Sequence, residues 1–167
     1  MDLSWRSTRK ISITAIITVS ILLTIRMVGY MRGAVALGDR HLCMRNAGLI
    51  NRALLLYCED WDDTFPYKER WDSSLGEKQR RTHLPRNTWV CPSNRSVIGY
   101  AVNRDLLGLA CQRVSRFDAT ISVFESDQSY TGAAARTSEL PDRPRHGSLD
   151  ISAFLDGSIK VLVRPGS

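Results

Sequence analysis

The apolar and polar positions divide the chain into an N-terminal apolar run, a helix with one apolar face, and a set of short strands. The run Ile11–Ile25 contains no charged residue and follows a basic segment, residues 1–10. A helix of this length extends about 22 Å, less than the bilayer core of about 30 Å. Continuation to Met31, with Arg26 reaching back to the headgroups, closes that gap. The pattern predicts a leader over 1–10 and a transmembrane segment over 11–31.

Three outcomes remain open for this segment: a permanent single-pass anchor, a secretory signal peptide, and a prepilin-type leader whose apolar part is retained. Ala34-Val35-Ala36 resembles a signal-peptidase site. The interval before it is long and contains Arg26 and Arg32, which is atypical of signal peptides and favours an anchor. Cations flank the span on both sides, so charge alone does not orient it.

From about Gly33 the apolar residues recur in alternating steps of four and three, which predicts an amphipathic helix with one buried face. The buried stripe comprises Cys43, Ala47, Ile50, Leu54, Tyr57 and Trp61. The residues expected off the stripe are Arg45, Asn46, Asn51, Arg52 and Glu59. Phe65-Pro66 is expected to end the helix, because proline disfavours helical geometry in the preceding residue.

The C-terminal half predicts strands over Val97–Val102, Ala119–Glu125, Leu149–Leu155 and Ser158–Arg164. Asp156-Gly157 between the last two predicts a two-residue type I′ hairpin turn. That turn pairs Phe154 with Ile159 and Ser152 with Val161 on one face, and Ala153 with Lys160 on the other. The sheet is then expected to have one face on a helix and one in water.

The resulting order is an apolar span, an amphipathic helix, an irregular connection over Tyr67–Arg95, and strands joined by connections that favour antiparallel pairing. This order predicts an α+β fold. The connection contains Trp71 and Trp89, which we expect at the edge of the core, and it is a region where a ligand could bind.

Composition narrows the function classes. A chain of 167 residues has the size of one domain, which we place at 32–167. With 43% hydrophobic and 24% charged residues it is neither a disordered chain nor a polytopic membrane protein. The net charge of +6 is spread along the chain, with its densest cluster at Lys78, Arg80, Arg81 and Arg86. No nucleic-acid-binding motif accompanies it, so we expect no nucleic-acid partner.

The cysteines are Cys43, Cys58, Cys91 and Cys111. Their spacing lacks the close pairs of a structural zinc site, so no metal site is predicted from it. Cys43 and Cys58 lie on one predicted helix about 22 Å apart, too far for a disulfide. A helical cysteine can pair with Cys91 or Cys111 if the domain lies outside the cytoplasm.

Acidic residues crowd the end of the predicted helix, at Glu59, Asp60, Asp62 and Asp63. Negative charge is unfavourable at the C-terminal end of a helix because of the helix dipole. A bound cation such as calcium would compensate it, so a cation site at Asp60, Asp62 and Asp63 is one interpretation. The run lacks the glycine and distal glutamate of an EF-hand loop. Solvated acids or arginine partners are the other interpretation.

His146 is the candidate for acid-base or metal chemistry, with Asp156 as its potential partner. The two residues lie at opposite ends of a predicted strand, about 23 Å apart at 3.3 Å per residue, so they cannot form a dyad. We expect His146 to hold a loop and Asp156-Gly157 to form the turn. No nucleophile triad, phosphate loop or catalytic carboxylate pair is present, so we predict no enzyme and identify no small-molecule substrate.

Several segments together resemble pilin-like, prepilin-type proteins with the processing-associated domain named for a His, nine residues and Asp-Gly. His146, GSLDISAFL and Asp156-Gly157 reproduce that spacing, with Arg145 before the histidine. In the same order come CMRNAGLINRALLLYCEDWDDTFP, Cys91-Pro92-Ser93, Ile98-Gly99-Tyr100 with Asn103, and ISVFESD. The resemblance covers about Leu42 to Leu162.

The resemblance implies a long N-terminal helix whose first half is in the membrane and whose second half packs on an antiparallel sheet. It implies a bacterial inner-membrane protein with its N-terminus inside and its domain outside the cytoplasm. It further implies a pseudopilin-type role in a type II secretion or type IV pilus-like assembly, with other pilin-like subunits bound through the N-terminal helix. It implies no catalysis, and apart from the possible calcium we expect no cofactor.

The leader departs from the family pattern. Lys10 stands where prepilins carry the glycine before the cleavage point, and Ala15 stands where they carry a glutamate. An uncleaved membrane-anchored module that binds a ligand or surface polymer outside the cytoplasm therefore stays an alternative.

Overall fold

The computed structural model describes residues 3–67, 84–94, 99–128, 132–141 and 143–164. Its longest element is α1, Leu3–Asp60. Two compact units divide the chain at this helix, one over Met1–Gly38 and one over Asp39–Ser167. The interpretations that concern Trp71, Val97 and the basic cluster Lys78, Arg80 and Arg81 lie outside the described residues.

In the first unit, the described helix exposes its apolar side chains. An 18-residue window of it has a mean hydropathy of 1.8 and is 0% buried. Ile16 and Leu23 are typical, with exposed fractions of 63% and 65%. By length and composition this is the one candidate membrane span among the described residues, near the N-terminus as predicted.

In the second unit, α1 uses the predicted stripe to pack on a sheet. Cys43, Ala47, Ile50, Leu54 and Tyr57 are buried. Trp61 is the exception: it is 43% exposed and stacks on Tyr57 with ring centroids 5.6 Å apart. This difference arises because α1 ends at Asp60, before Phe65-Pro66, so Trp61 lies in the following turn.

Two residues expected off the stripe are buried instead. Asn46 and Asn51 are 4% and 1% exposed. The side-chain amide of Asn46 donates to the Val90 carbonyl, and the side-chain amide of Asn51 donates to the Phe154 carbonyl at 2.8 Å. Polar side chains can be buried when such partners satisfy them. The buried face of the helix is therefore wider than its apolar stripe.

Within the described residues, the sheet contains five strands in the order β3-β1-β2-β4-β5. The strands are β1 Tyr100–Asn103, β2 Ile121–Glu125, β3 Ala134–Ala135, β4 Leu149–Phe154 and β5 Ile159–Val163. Short 3-10 helices lie at Arg86–Trp89, Pro92–Asn94, Arg104–Leu106 and Cys111–Arg113. The pairing is antiparallel except between β1 and β3, which are parallel. The α+β fold class is confirmed, and β3 is an element that the sequence pattern did not predict.

The β4–β5 hairpin is confirmed, but its predicted register is wrong by one residue. Ala153 pairs with Ile159 and Ser152 with Lys160. The Phe154 amide donates to the Ser158 carbonyl, and the Gly157 amide donates to the Phe154 carbonyl at 3.0 Å. Only Gly157 has positive φ in this loop, at 85°. The connection is thus a three-residue turn that ends in a left-handed glycine rather than a two-residue type I′ turn.

The shifted register decides which side chains face the helix. Ile151, Ala153 and Ile159 join the core beneath α1, together with Val102 and Val123. The opposite face is not simply in water, as had been expected. It carries a second, smaller buried cluster, composed of Ala101, Phe124, Ala133 and Ala135. Trp89 is buried in the helix-side core, as expected for a residue at the core edge.

Candidate functional site

Four side chains with metal-binding or acid-base chemistry meet beneath the helix. They are Cys43, Cys91, Glu125 and His146, and one ligand atom from each lies within 4.8 Å of those of the other three. We refer to these residues as the Cys-Glu-His cluster. Both cysteines and Glu125 are 0% exposed, and the His146 side chain is 4% exposed.

Each member comes from a different part of the fold. Cys43 belongs to the buried stripe of α1, and Cys91 directly precedes the 3-10 helix Pro92–Asn94. Glu125 is the last residue of β2. His146 lies in the turn before β4. The tertiary fold, and no local motif, therefore assembles the cluster.

The distances within the cluster form a continuous chain of contacts. Cys43 Sγ lies 2.8 Å from Cys91 Sγ, and both cysteines are free. The Cys91 thiol donates to Glu125 Oε1 at 3.5 Å. The same carboxylate oxygen lies 3.0 Å from His146 Nε2. The sulfurs and the acid-imidazole pair are thus one site.

Surrounding groups fix the orientation of the cluster side chains. Ser93 Oγ lies 3.2 Å from His146 Nδ1, which leaves Nε2 directed at Glu125. The Ile151 amide donates to Glu125 Oε2 at 3.0 Å. Both ring nitrogens and both carboxylate oxygens therefore have partners.

Arg145 supplies a buried positive charge beside the cluster. Its side chain is 5% exposed and pairs with Asp127 at 3.0 Å. Its guanidinium also donates to the Gly99 carbonyl at 3.1 Å and to the Ser126 carbonyl. This cation offsets part of the negative charge that the cluster can carry.

The environment separates the pKa values of the two neighbouring thiols. A hydrogen bond from Cys43, with further contributions from His146 and Arg145, lowers the pKa of Cys91. The same hydrogen bond and burial raise the pKa of Cys43. Of the two neighbouring thiols, Cys91 therefore has the lower pKa and ionises more readily.

The acid and the imidazole also depart from their ordinary values. Burial raises the pKa of Glu125, although the hydrogen bond with His146 opposes this shift. Burial lowers the pKa of His146, but hydrogen bonds to Cys91 and Glu125 outweigh burial and raise it to about 9. A buried charged pair of this kind is stable only when each partner is satisfied.

The structure places the other two cysteines together as well. Cys58, on α1, is buried and forms a side-chain hydrogen bond with Cys111, and both are free. Burial raises the pKa of Cys58, so it is held as a neutral thiol. Each helical cysteine therefore faces one of the two partners that the sequence left open.

The acidic residues proposed as a cation site lie at the exposed end of the helix. Asp60, Asp62 and Asp63 are all exposed, and the last two have positive φ values of 48° and 49°. The Asp63 carbonyl accepts from the Cys111 amide at 2.7 Å. Among the described residues, the metal-ligand grouping that forms is the Cys-Glu-His cluster and does not include these acids.

His146 and Asp156 occupy separate places. Asp156 lies in the exposed hairpin turn, where its Oδ1 accepts from the Ser158 amide and hydroxyl at 2.9 and 2.6 Å. These bonds lower the pKa of its carboxyl. The partner acid of His146 is Glu125, which sequence reasoning did not single out.

A signal for this site is nevertheless present in the sequence. The segments that resemble prepilin-type proteins include the Cys43 helix, Cys91-Pro92-Ser93, ISVFESD and the His146 motif, and each contributes one member of the cluster. Comparisons with models of known protein families, with curated proteins and with solved structures each found no match.

Proposed function

We propose that this protein is a non-enzymatic, pilin-like membrane protein that works as a pseudopilin-type subunit of a type II secretion or type IV pilus-like assembly. Its N-terminal apolar helix anchors it in the inner membrane with the N-terminus inside. The α+β domain lies outside the cytoplasm. The same helix binds the apolar helices of other pilin-like subunits.

The observation that carries this proposal is the contrast between the two parts of α1. The part in the first unit exposes apolar side chains, such as Ile16, Ile21 and Leu22 at 63%, 53% and 62%. The part in the second unit buries a stripe against a sheet. Exposed apolar surface of this length needs lipid or other apolar helices as its surroundings.

The test is co-purification of the full chain with its neighbours from membranes of its own cells after chemical crosslinking. We expect crosslinked partners that themselves begin with an apolar helix. Ile16→Glu should reduce their recovery about tenfold, because a carboxylate on the helix surface opposes apolar packing. Ile16→Leu is the matched control and should leave recovery unchanged.

Recovery is compared only between variants that remain in the membrane fraction. If Ile16→Glu leaves the membrane, Ile16→Asn replaces it, because an amide is less costly in lipid than a charge. A chain that crosslinks to no apolar-helix protein, or recovery that Ile16→Glu does not change, would refute the assembly role.

Lys10 and Ala15 favour a second candidate, an uncleaved anchored module that binds a ligand or surface polymer. The intact mass of the membrane-bound chain separates the two. A chain that starts at Ile11 with a methylated amine supports the assembly subunit, whereas a chain that starts at Met1 supports the anchored module.

A further inference from the structure

We propose that the Cys-Glu-His cluster is a zinc site, in which Cys43 Sγ, Cys91 Sγ, one Glu125 carboxylate oxygen and His146 Nε2 are the four ligands. This inference goes beyond the proposed function and does not depend on it. Zinc in a structural site takes four ligands from thiolates, imidazoles and carboxylates in tetrahedral geometry.

The positions of the ligand atoms suit one ion. In a tetrahedral site with zinc-ligand bonds of about 2.0–2.3 Å, the ligand atoms lie about 3.3–3.8 Å apart. Cys91 Sγ and Glu125 Oε1 are 3.5 Å apart, and all four atoms lie within 4.8 Å. The sulfurs, at 2.8 Å, need to separate by about 1 Å to reach that spacing.

The hydrogen bonds that surrounding residues make to the cluster are of the kind that orients the ligands in metal sites. A histidine that binds a metal through one nitrogen normally has a partner on the other, and Ser93 occupies that place on His146 Nδ1. The Ile151 amide holds the second oxygen of Glu125 in the same way. This leaves Glu125 Oε1 and His146 Nε2, which lie 3.0 Å apart, as the atoms available to a metal.

Charge balance also favours a divalent cation. Two thiolates and one carboxylate contribute three negative charges, and a zinc ion compensates two of them. The buried guanidinium of Arg145 lies beside the remaining negative charge, and it is shared with the more exposed carboxylate of Asp127. Burial of uncompensated charge is costly, so a divalent cation suits ligands that are almost wholly buried.

A disulfide between Cys43 and Cys91 is the competing state. It uses the two sulfurs and leaves the buried carboxylate and imidazole paired only with each other, with Ile151 and with Ser93. Zinc uses all four ligand atoms and explains both outer contacts.

The first test is the metal content and the cysteine pairing of the full chain, isolated in detergent from membranes with no metal added. We expect one zinc ion per chain and, in a non-reduced digest of the same sample, no peptide in which Cys43 is joined to Cys91. Exchange into Co²⁺ under a thiol-free reductant should give the intense near-ultraviolet band of thiolate-bound cobalt.

Variants then assign the ligands. Cys91→Ser and His146→Gln should each reduce zinc content to about a tenth or less. Ser93→Ala should weaken zinc affinity about tenfold, because it frees the imidazole without removing a ligand. Cys58→Ser is the matched control: it removes a buried thiol of the same helix outside the cluster and should retain the zinc.

Zinc at background in the isolated chain, with a non-reduced digest that contains Cys43 joined to Cys91, would overturn the proposal in favour of the disulfide. Zinc that persists in both Cys91→Ser and His146→Gln would show an adventitious site elsewhere and would equally overturn it. If those variants fail to fold, the cobalt spectrum of the unmodified chain decides: absence of the thiolate band rejects the site.

Discussion

Replacement of Gly99 by alanine tests a close approach between the segments around Gly99 and Cys91. A Cβ at this position would lie 2.5 Å from Cys91 Cβ and 2.9 Å from the Cys91 amide nitrogen. Carbon atoms pack at about 3.5–4.0 Å, so the Cys91 segment would have to move by about 1 Å. It cannot do so freely, because the Gly99 amide donates to the Trp89 carbonyl at 2.7 Å and the Gly99 carbonyl accepts from the Ser126 amide at 2.9 Å.

The magnitude follows from the cost of overpacking. Extra methyl or methylene groups in a packed core cost about 1–3 kcal/mol and occasionally more. We expect Gly99→Ala to reach the upper end of that range, because one of the atoms that must move belongs to the backbone. Gly48→Ala is the matched control: its Cβ would meet the Ile159 side chain at ordinary distances of 3.5 Å to Cδ1 and 3.7 Å to Cγ1. That helical position should gain about 0.5–1 kcal/mol.

The assay is urea unfolding of the full chain in detergent, followed by tryptophan fluorescence. The two substitutions are chemically identical and should change the unfolding free energy in opposite directions, with a difference of about 2–4 kcal/mol. Equal stability of the two variants, or a Gly99→Ala variant within about 0.5 kcal/mol of the natural chain, would refute the close-packing argument.

Three further substitutions test other contacts by the same assay. Gly157→Val should cost about 1–3 kcal/mol because Gly157 has a φ of 85°, and a variant as stable as Gly157→Asn would contradict the assigned turn. Asn51→Leu should cost about 1–3 kcal/mol because it leaves the buried Phe154 carbonyl without this donor; unchanged stability would show that the bond contributes nothing. Arg164→Met should cost about 3–5 kcal/mol, since Asp150 is 1% exposed and pairs with Arg164 at 2.6 Å. Adding Asp150→Asn to Arg164→Met should restore part of the lost unfolding free energy, because it removes the unpaired buried charge. If the double variant is no more stable, an unpaired charge is not the cause of the loss.

Local pattern was sufficient for the main elements, although not for the two-residue strand β3. The uncharged run from Ile11, the alternating stripe of α1 and the strands at the C-terminal end all follow from periodicity, and the structure contains each of them. These features depend on residues that are neighbours along the chain, so a single sequence is enough to predict them. The end of α1 was predicted less well. The turn after Asp60 contains two aspartates with positive φ, and this turn contains no proline or glycine that would have indicated it in the sequence.

The register of the hairpin shows where local information ended. Asp156-Gly157 fits both a two-residue and a three-residue loop, and these loops differ by one residue in pairing. The pattern of β4 did not decide between them, because Ile151 and Phe154 lie on opposite faces and both are buried. Packing of Ile159 beneath the helix, together with Ile151, decides the register in the fold.

The sequence by itself therefore determined the apolar span, the buried stripe of the helix and the α+β order of elements, because each is written in the spacing of nearby residues. Only the tertiary structure decided the composition of the site. Cys43, Cys91, Glu125 and His146 come from four segments, and no spacing rule for metal ligands links residues so far apart. They meet because α1 brings Cys43 next to Glu125 at the end of β2. The segments that contain Cys91 and His146 pack against the same two residues. Long-range packing, and not local preference, produces the cluster.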